Sequence, residues 1–202
     1  MSRGYIFTVT GNAVEEAGRA IAQLKRVTRL PITVIGDCEI PGADWIKADD
    51  QSSKARWLKV NLEQLTPYDL TIYLDADTRC WQNIDHLFDV LADGYDLAIA
   101  PSYWQEKGSL QHLDEQDREH TKLYLNTFSW LNFQAGVFAF NRQTCKPFFS
   151  EWRKQWQVFR RLDQGAFMRA LRDYPIRLWL LSSMYNSKSP EIVQHLFGGI
   201  KV

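Results

Sequence analysis

Cysteine is scarce in this chain: Cys38, Cys80 and Cys145 are the only three among 202 residues. They are odd in number, widely spaced and match no common zinc spacing. Neither a disulfide framework nor a structural zinc site is expected, and a reducing, cytoplasmic setting is. No apolar run approaches the roughly 18–20 residues of a membrane span, so no transmembrane segment is expected. The opening MSRGYIFTVT lacks the apolar core and cleavage site of a signal peptide. Net charge is absent as well. The 24 Lys and Arg balance the 24 Asp and Glu, so no global field draws in nucleic acid. Repeats, linkers and low-complexity tracts are also missing. With 45% apolar residues and length enough for a full core, the chain reads as one domain over residues 1–202.

What is present is alternation. Tyr5–Thr10 is rich in strand formers, and Gly11-Asn12 makes a turn. Ala13, Val14, Ala17, Ala20, Ile21 and Leu24 then recur at helical spacing. Strands are expected at Ile32–Ile35, Trp45–Ala48, Leu70–Leu74, Asp96–Ala100, Gly136–Phe140 and Ile176–Leu181. Helices are expected around Ala55–Leu65, from an Asn83 cap through Leu91, along the aromatic stripe Phe148–Phe159, and from Asp163 onward. Strands alternating with helices indicate an α/β fold with a mostly parallel central sheet flanked by helices. The stripe Phe148, Phe149, Trp152, Trp156 and Phe159 reads as core packing. Nine Lys and Arg fall between Arg142 and Arg177 against three acidic residues, a run that suits solvated helix faces or a landing surface for an anionic acceptor.

The most informative stretch is DLTIYLDADT, which ends at Thr78. A buried strand runs into Asp75-Ala76-Asp77. Alternate strand residues share a face, so the two carboxylates can converge on one cation. Hard oxygen ligands suit Mn²⁺ or Mg²⁺, which can bridge a diphosphate. In open α/β sheets, ligands bind beyond the carboxyl ends of strands, where this pair lies.

Four blocks together resemble the nucleotide-sugar glycosyltransferases of the GT-A fold. More narrowly, they are similar to the retaining family 8 enzymes, glycogenin-like and galactosyltransferase-like. The blocks are FTVTGN, the stretch from Lys59 through Tyr68 to LDADT, the pair FQAGVFAFN and LDQGAF, and the terminal HLFGGIK. The last matches the family's His-x-x-Gly-x-x-Lys. The resemblance implies a metal held by Asp75, Asp77 and His195, and a UDP-sugar donor. It implies nucleotide contacts from Thr8, Val9, Thr10, Asn12, Lys59, Asp75, Gly198 and Lys201. Gly198 would let backbone approach the phosphates, and Lys201 would place a charge on the leaving diphosphate. Lys54 and Arg56 rival Lys59 as the basic residue near the nucleotide, and Lys59 also reads as a snorkelling surface lysine. Asp163 and Gln164 match the family's Asp-Gln pair beside the transferred sugar, where they would act in catalysis. No carboxylate pair for a double displacement emerges, and front-face transfer with retention is implied.

Two departures qualify the match. Glu15 stands where the family often has a base-stacking tyrosine, which leaves the base open. The chain stops at Val202, one residue after Lys201, without the usual continuation, as in a minimal or truncated enzyme. A nucleotidyltransferase is a rival expectation, although FTVTGNAVEE lacks the basic, glycine-rich loop of that class. A non-catalytic nucleotide-sugar-binding module is another. The acceptor stays open among a glycan, a protein, a small molecule and a nucleic acid. Tyr103–Leu131, with Trp104, His112, His120, Tyr124 and Trp130, is expected to form an acceptor wall or lid.

Overall fold

The computed structural model describes residues 1–48, 55–102, 110, 113–126 and 132–197, the side chain of Asn12 excepted. Strand β1 (Arg3–Val9) is buried along all but its first residue, as a central strand covered on both faces must be. A short 3-10 turn, Gly11–Ala13, leads into helix α1 (Val14–Leu24). Then come β2 (Ile32–Gly36), β3 (Asp44–Lys47), α2 (Ala55–Val60), α3 (Leu62–Leu65) and β4 (Leu70–Leu74). The helix expected over Ala55–Leu65 is therefore two pieces. Asn61 interrupts it, with φ −112° and its side-chain amide donating to Trp57 O at 2.7 Å.

The second half contains β5 (Thr78–Cys80), α4 (Leu87–Ala92), β6 (Leu97–Pro101), α5 (Glu115–Leu125) and β7 (Phe133–Asn141). It continues with α6 (Lys146–Gln157), α7 (Gln164–Asp173), β8 (Leu178–Leu180) and β9 (Val193–His195). Seven strands form one sheet in the order β3-β2-β1-β4-β7-β6-β8. Every pairing is parallel except the two made by β7, which runs antiparallel to β4 and β6. The expected mostly parallel α/β sheet is observed.

The two faces of the sheet carry separate cores. Tyr5, Phe7 and Val9 face α1 and α4, whereas Ile6, Tyr73 and Phe138 face α6 and α7. The aromatic stripe of α6 lies in the second core. Phe148, Phe149 and Trp152 are fully buried there, and Phe148 and Trp152 meet Phe167 of α7 edge-on.

Three local expectations need correction. Asn83 does not cap α4. It forms a turn of its own, accepting from Asp85 N at 2.8 Å and donating to Val27 O at 2.7 Å. The acidic stretch Asp114–Glu119, inside the segment expected as a wall or lid, is helical, and Asp114 caps α5 by accepting from Asp117 N at 3.1 Å. His120 and Tyr124 ride on that helix and pack toward α6 and α7 rather than forming a wall. Gln155 Nε2 donates to Tyr124 OH at 2.9 Å, and the His120 ring meets Phe159. Trp104, His112 and Trp130 lie outside the described residues. No helix among the described residues is long and apolar enough to cross a membrane. All three cysteines are free thiols.

Candidate active site

The carboxyl ends of β1 and β4 open onto a cleft of about 760 Å³. Sequence proximity delivers Asp75 and Asp77, and the sheet delivers the rest. A second, two-stranded sheet pairs β5 with β9 and sets His195 opposite Thr78, next to Asp77. Leu196 N donates to Asp77 O at 3.0 Å and reinforces the juxtaposition. His195 Nε2 stands 3.2 Å from Asp77 Oδ1 and 3.9 Å from Asp75 Oδ2. One ligand atom from each of Asp75, Asp77 and His195 lies within 4.8 Å of the others.

Hydrogen bonds behind Asp75 and His195 decide which of their atoms face one another. Asn186 Nδ2 donates to Gln134 O at 3.1 Å, so its Oδ1 is the end turned to His195. That oxygen only accepts, and His195 Nδ1, 2.7 Å away, must donate to it. In the neutral ring Nε2 then carries the lone pair, aimed at the carboxylates, as a metal ligand requires. Asp75 is ordered in the same way. Its Oδ1 accepts from Tyr73 OH at 2.6 Å and from Lys59 Nζ at 2.8 Å. Its Oδ2 is left toward His195. Gly136 makes the approach possible, since a Cβ there would lie 2.6 Å from His195 Nδ1 and 3.0 Å from Asp75 Oδ2. Two carboxylates and an imidazole nitrogen, all pre-aimed, fit a divalent cation such as Mn²⁺ or Mg²⁺.

Lys59 is not a surface lysine. It is buried, with its ammonium between Asp75 and Asp163, the latter at 3.4 Å. Burial alone would push its pKa down. Asp163, then Asp75, outweigh that and hold it well above the ordinary lysine value. Arg56 also lines the cleft, 4.0 Å from Asp163. Asp163 precedes α7 but makes no side-chain cap, so its carboxylate faces Lys59 and Arg56 instead. Gln164 Nε2 donates to Asn132 Oδ1 at 2.7 Å, which fixes which end of the amide is left for a ligand.

Thr8 and Thr10 line the cleft, and Thr8 Oγ1 lies 2.9 Å from Tyr73 OH. Val9 does not reach it. Strand alternation turns its side chain into the core, fully buried. Asn12 lies on the 3-10 turn, and its side chain, like Gly198, Lys201 and Lys54, is outside the described residues. Tyr73, Asn186 and Phe197 are parts of the site that sequence reading missed. Tyr73 stands two residues before Asp75, a same-face spacing that marks it in retrospect. Phe197 stacks on His195, with ring centroids 4.1 Å apart. Asn186 carries no local signal, because only the tertiary fold brings it to His195.

No family model matches the chain, and no curated protein matches it in sequence. Solved structures do match. The glycosyltransferase GlyE of Streptococcus pneumoniae TIGR4 superimposes with a TM-score of 0.69 at 14% identity, over 100% of this chain and 57% of that one. The chain thus spans little more than half the length of GlyE. The galactosyltransferase LgtC, solved with donor and acceptor sugar analogues, gives 0.68 at 14% identity, over 96% of this chain and 87% of LgtC. Mouse xyloside xylosyltransferase 1 gives 0.62 at 13% identity, over 96% of each chain. With β7 reversed in an otherwise parallel sheet and Asp-x-Asp at the end of β4, the chain has the GT-A fold of these glycosyltransferases.

Proposed function

We propose that this protein is a metal-dependent, retaining glycosyltransferase that moves a hexose from a UDP-sugar to an acceptor. The observation that carries the reading is the convergence of Asp75, Asp77 and His195 within 4.8 Å at one end of the cleft. A divalent cation bound there supplies charge neutralisation for a departing diphosphate.

The remaining groups fit a hydroxyl-rich ligand. Gln134 lines the cleft, and its Oε1 is buried with no hydrogen-bond partner among the described residues. A buried acceptor in that state is costly and suits a ligand hydroxyl as its donor. Asp163 and Gln164 stand on the same wall. Asp163, held in place by Lys59 and Arg56, orients hydroxyls of the transferred sugar. In the reaction the bond between the anomeric carbon and the diphosphate oxygen breaks. The acceptor oxygen bonds to that carbon on the same face, and its proton passes to the leaving phosphate. Asp163 is engaged by Lys59 and Arg56, which disfavours it as a free nucleophile and supports front-face transfer over a double displacement. The GT-A fold shared with donor-bound LgtC supports the same reading, and the free cysteines fit a reducing, cytoplasmic setting.

The test is calorimetry with UDP and UDP-sugars in the presence and absence of Mn²⁺ or Mg²⁺, paired with donor hydrolysis. Binding of UDP should require the metal and vanish in Asp77→Ala. Equal metal-dependent binding by both proteins would sink the proposal.

A further inference from the structure

The loop between α6 and α7 places Arg160 and Arg161 on the cleft wall, immediately before Asp163 and Gln164. Most of the positive charge in the cleft is already matched. Lys59 is closed between Asp75 and Asp163, Arg56 stands beside Asp163, and Arg161 pairs with Asp114 at 3.1 Å. Arg160 differs, since its guanidinium makes no ion pair or hydrogen bond among the described residues.

Its backbone is unusual too. Arg160 has φ 53°, a left-handed conformation in which Cβ crowds the following carbonyl and which glycine or asparagine adopts more readily. The loop is nonetheless firmly held. Arg160 N donates to Trp156 O at 2.8 Å, Trp156 Nε1 donates to Arg161 O at 3.2 Å, and Trp152 Nε1 donates to Asp163 O at 3.1 Å. Two core indoles of α6 thus fix the carbonyls of Arg161 and Asp163, just after the cleft-facing arginine. An unmatched guanidinium, held in a strained conformation on the wall of a cleft, is a recognition element rather than a fold element.

In the donor reading proposed above, on which this step rests, the diphosphate charge is met by a cation at Asp75, Asp77 and His195. The charge of Arg160 is surplus to that pairing. We infer that the cleft recognises a second oxyanion, a carboxylate or phosphate ester on either the transferred sugar or the acceptor, through the guanidinium of Arg160. A planar guanidinium can hold such a group by two parallel hydrogen bonds.

Calorimetry with Mn²⁺ present tests this in two arms. The donor arm compares UDP-glucuronate with UDP-glucose. The acceptor arm saturates the protein with UDP and compares glucuronate and glucose 6-phosphate with glucose. The charged member should bind at least tenfold more tightly in one arm, and that arm identifies the carrier of the anion. Arg160→Gly should bring charged and neutral members within about twofold. Its melting temperature should not fall, because glycine suits this φ, and Arg160→Asn serves as a second variant on the same grounds. Equal binding of charged and neutral members in both arms overturns the inference, as does a preference that survives both substitutions. UDP alone is titrated into the wild-type protein with and without Mn²⁺. Absence of metal-dependent UDP binding overturns the donor reading. Intact UDP binding without any charge preference overturns this inference alone.

Discussion

At the residue scale, the arrangement of Asp75 and His195 depends on the groups packed behind them. Asn186 sets the tautomer of His195 by accepting from Nδ1 at 2.7 Å. Removing such an outer partner commonly lowers metal affinity by about 10–100-fold. Asn186→Ala should therefore weaken Mn²⁺ binding by that order in calorimetry with UDP present, while Asn186→Asp, which still accepts, should retain most of it. Equal affinity in wild type and Asn186→Ala would show that the ring is oriented by Phe197 stacking alone. Gly136 admits a sharper expectation. A methyl group there would overlap His195 and crowd Asp75, so Gly136→Ala should abolish metal-dependent UDP binding. Retained binding would mean that β9 can shift to accommodate it. Asp75 and Asp77 were legible in the sequence because strand alternation and the abrupt polar exit are local facts. His195 was legible only through its spacing to Gly198 and Lys201. Tyr73 and Asn186 were not, since a tyrosine in a strand and an asparagine in a loop are ordinary until the fold places them beside a carboxylate and an imidazole.

At the scale of elements, α7 opens at Gln164, directly after Asp163, and a buried polar knot holds it against its neighbours. Arg169 of α7 is 1% exposed, pairs with the equally buried Asp117 of α5 at 2.8 Å, and donates to Gln155 Oε1 of α6 at 3.0 Å. Breaking one side of a buried pair leaves an uncompensated charge, at a cost of about 3–5 kcal/mol. For a domain of this size each kcal/mol lowers Tm by about 2–4 °C, so Arg169→Ala should melt roughly 6–20 °C lower by calorimetric scanning. Arg169→Met combined with Asp117→Leu should recover much of the loss, because no buried charge is then orphaned. A single mutant that melts like wild type would show that water already reaches the pair. Strands such as β1 and β4 were readable as unbroken apolar runs bounded by turns. The three-residue strands β5 and β9 were not, since three residues hold no period. Nor was the reversal of β7, because strand direction follows from the connections and not from local composition. The helix hidden in Asp114–Glu119 was missed because its first turn is acidic, which favours a helix N-terminus as much as it suggests a loop.

At the scale of the whole molecule, several acids are held protonated by burial, and this sets an alkaline limit on stability. Burial, then Asp85, pushes the Cys80 thiol from 9.0 up to about 12. Burial, then Asp96, raises Cys145 well above its ordinary value. Burial, then its hydrogen bond to Asp85, raises Tyr5. The sign follows from proton counting. Between the unfolded and folded values the folded chain keeps a proton that the unfolded chain releases, so stability falls as pH rises. The contribution of Cys80 is whole below pH 9.0 and is lost progressively as pH climbs toward about 12. Within that window each such group steepens the decline by about 1.4 kcal/mol per pH unit. Urea unfolding under reductant, repeated from pH 8 to pH 11, should therefore show a midpoint that holds and then drops. Cys80→Ala will lower the whole curve by leaving a small void, but its slope above pH 9 should be shallower than that of the wild type. Parallel profiles for the two proteins would mean that the unfolded chain protects the thiol as well as the core does, and that the alkaline limit lies with the tyrosines instead.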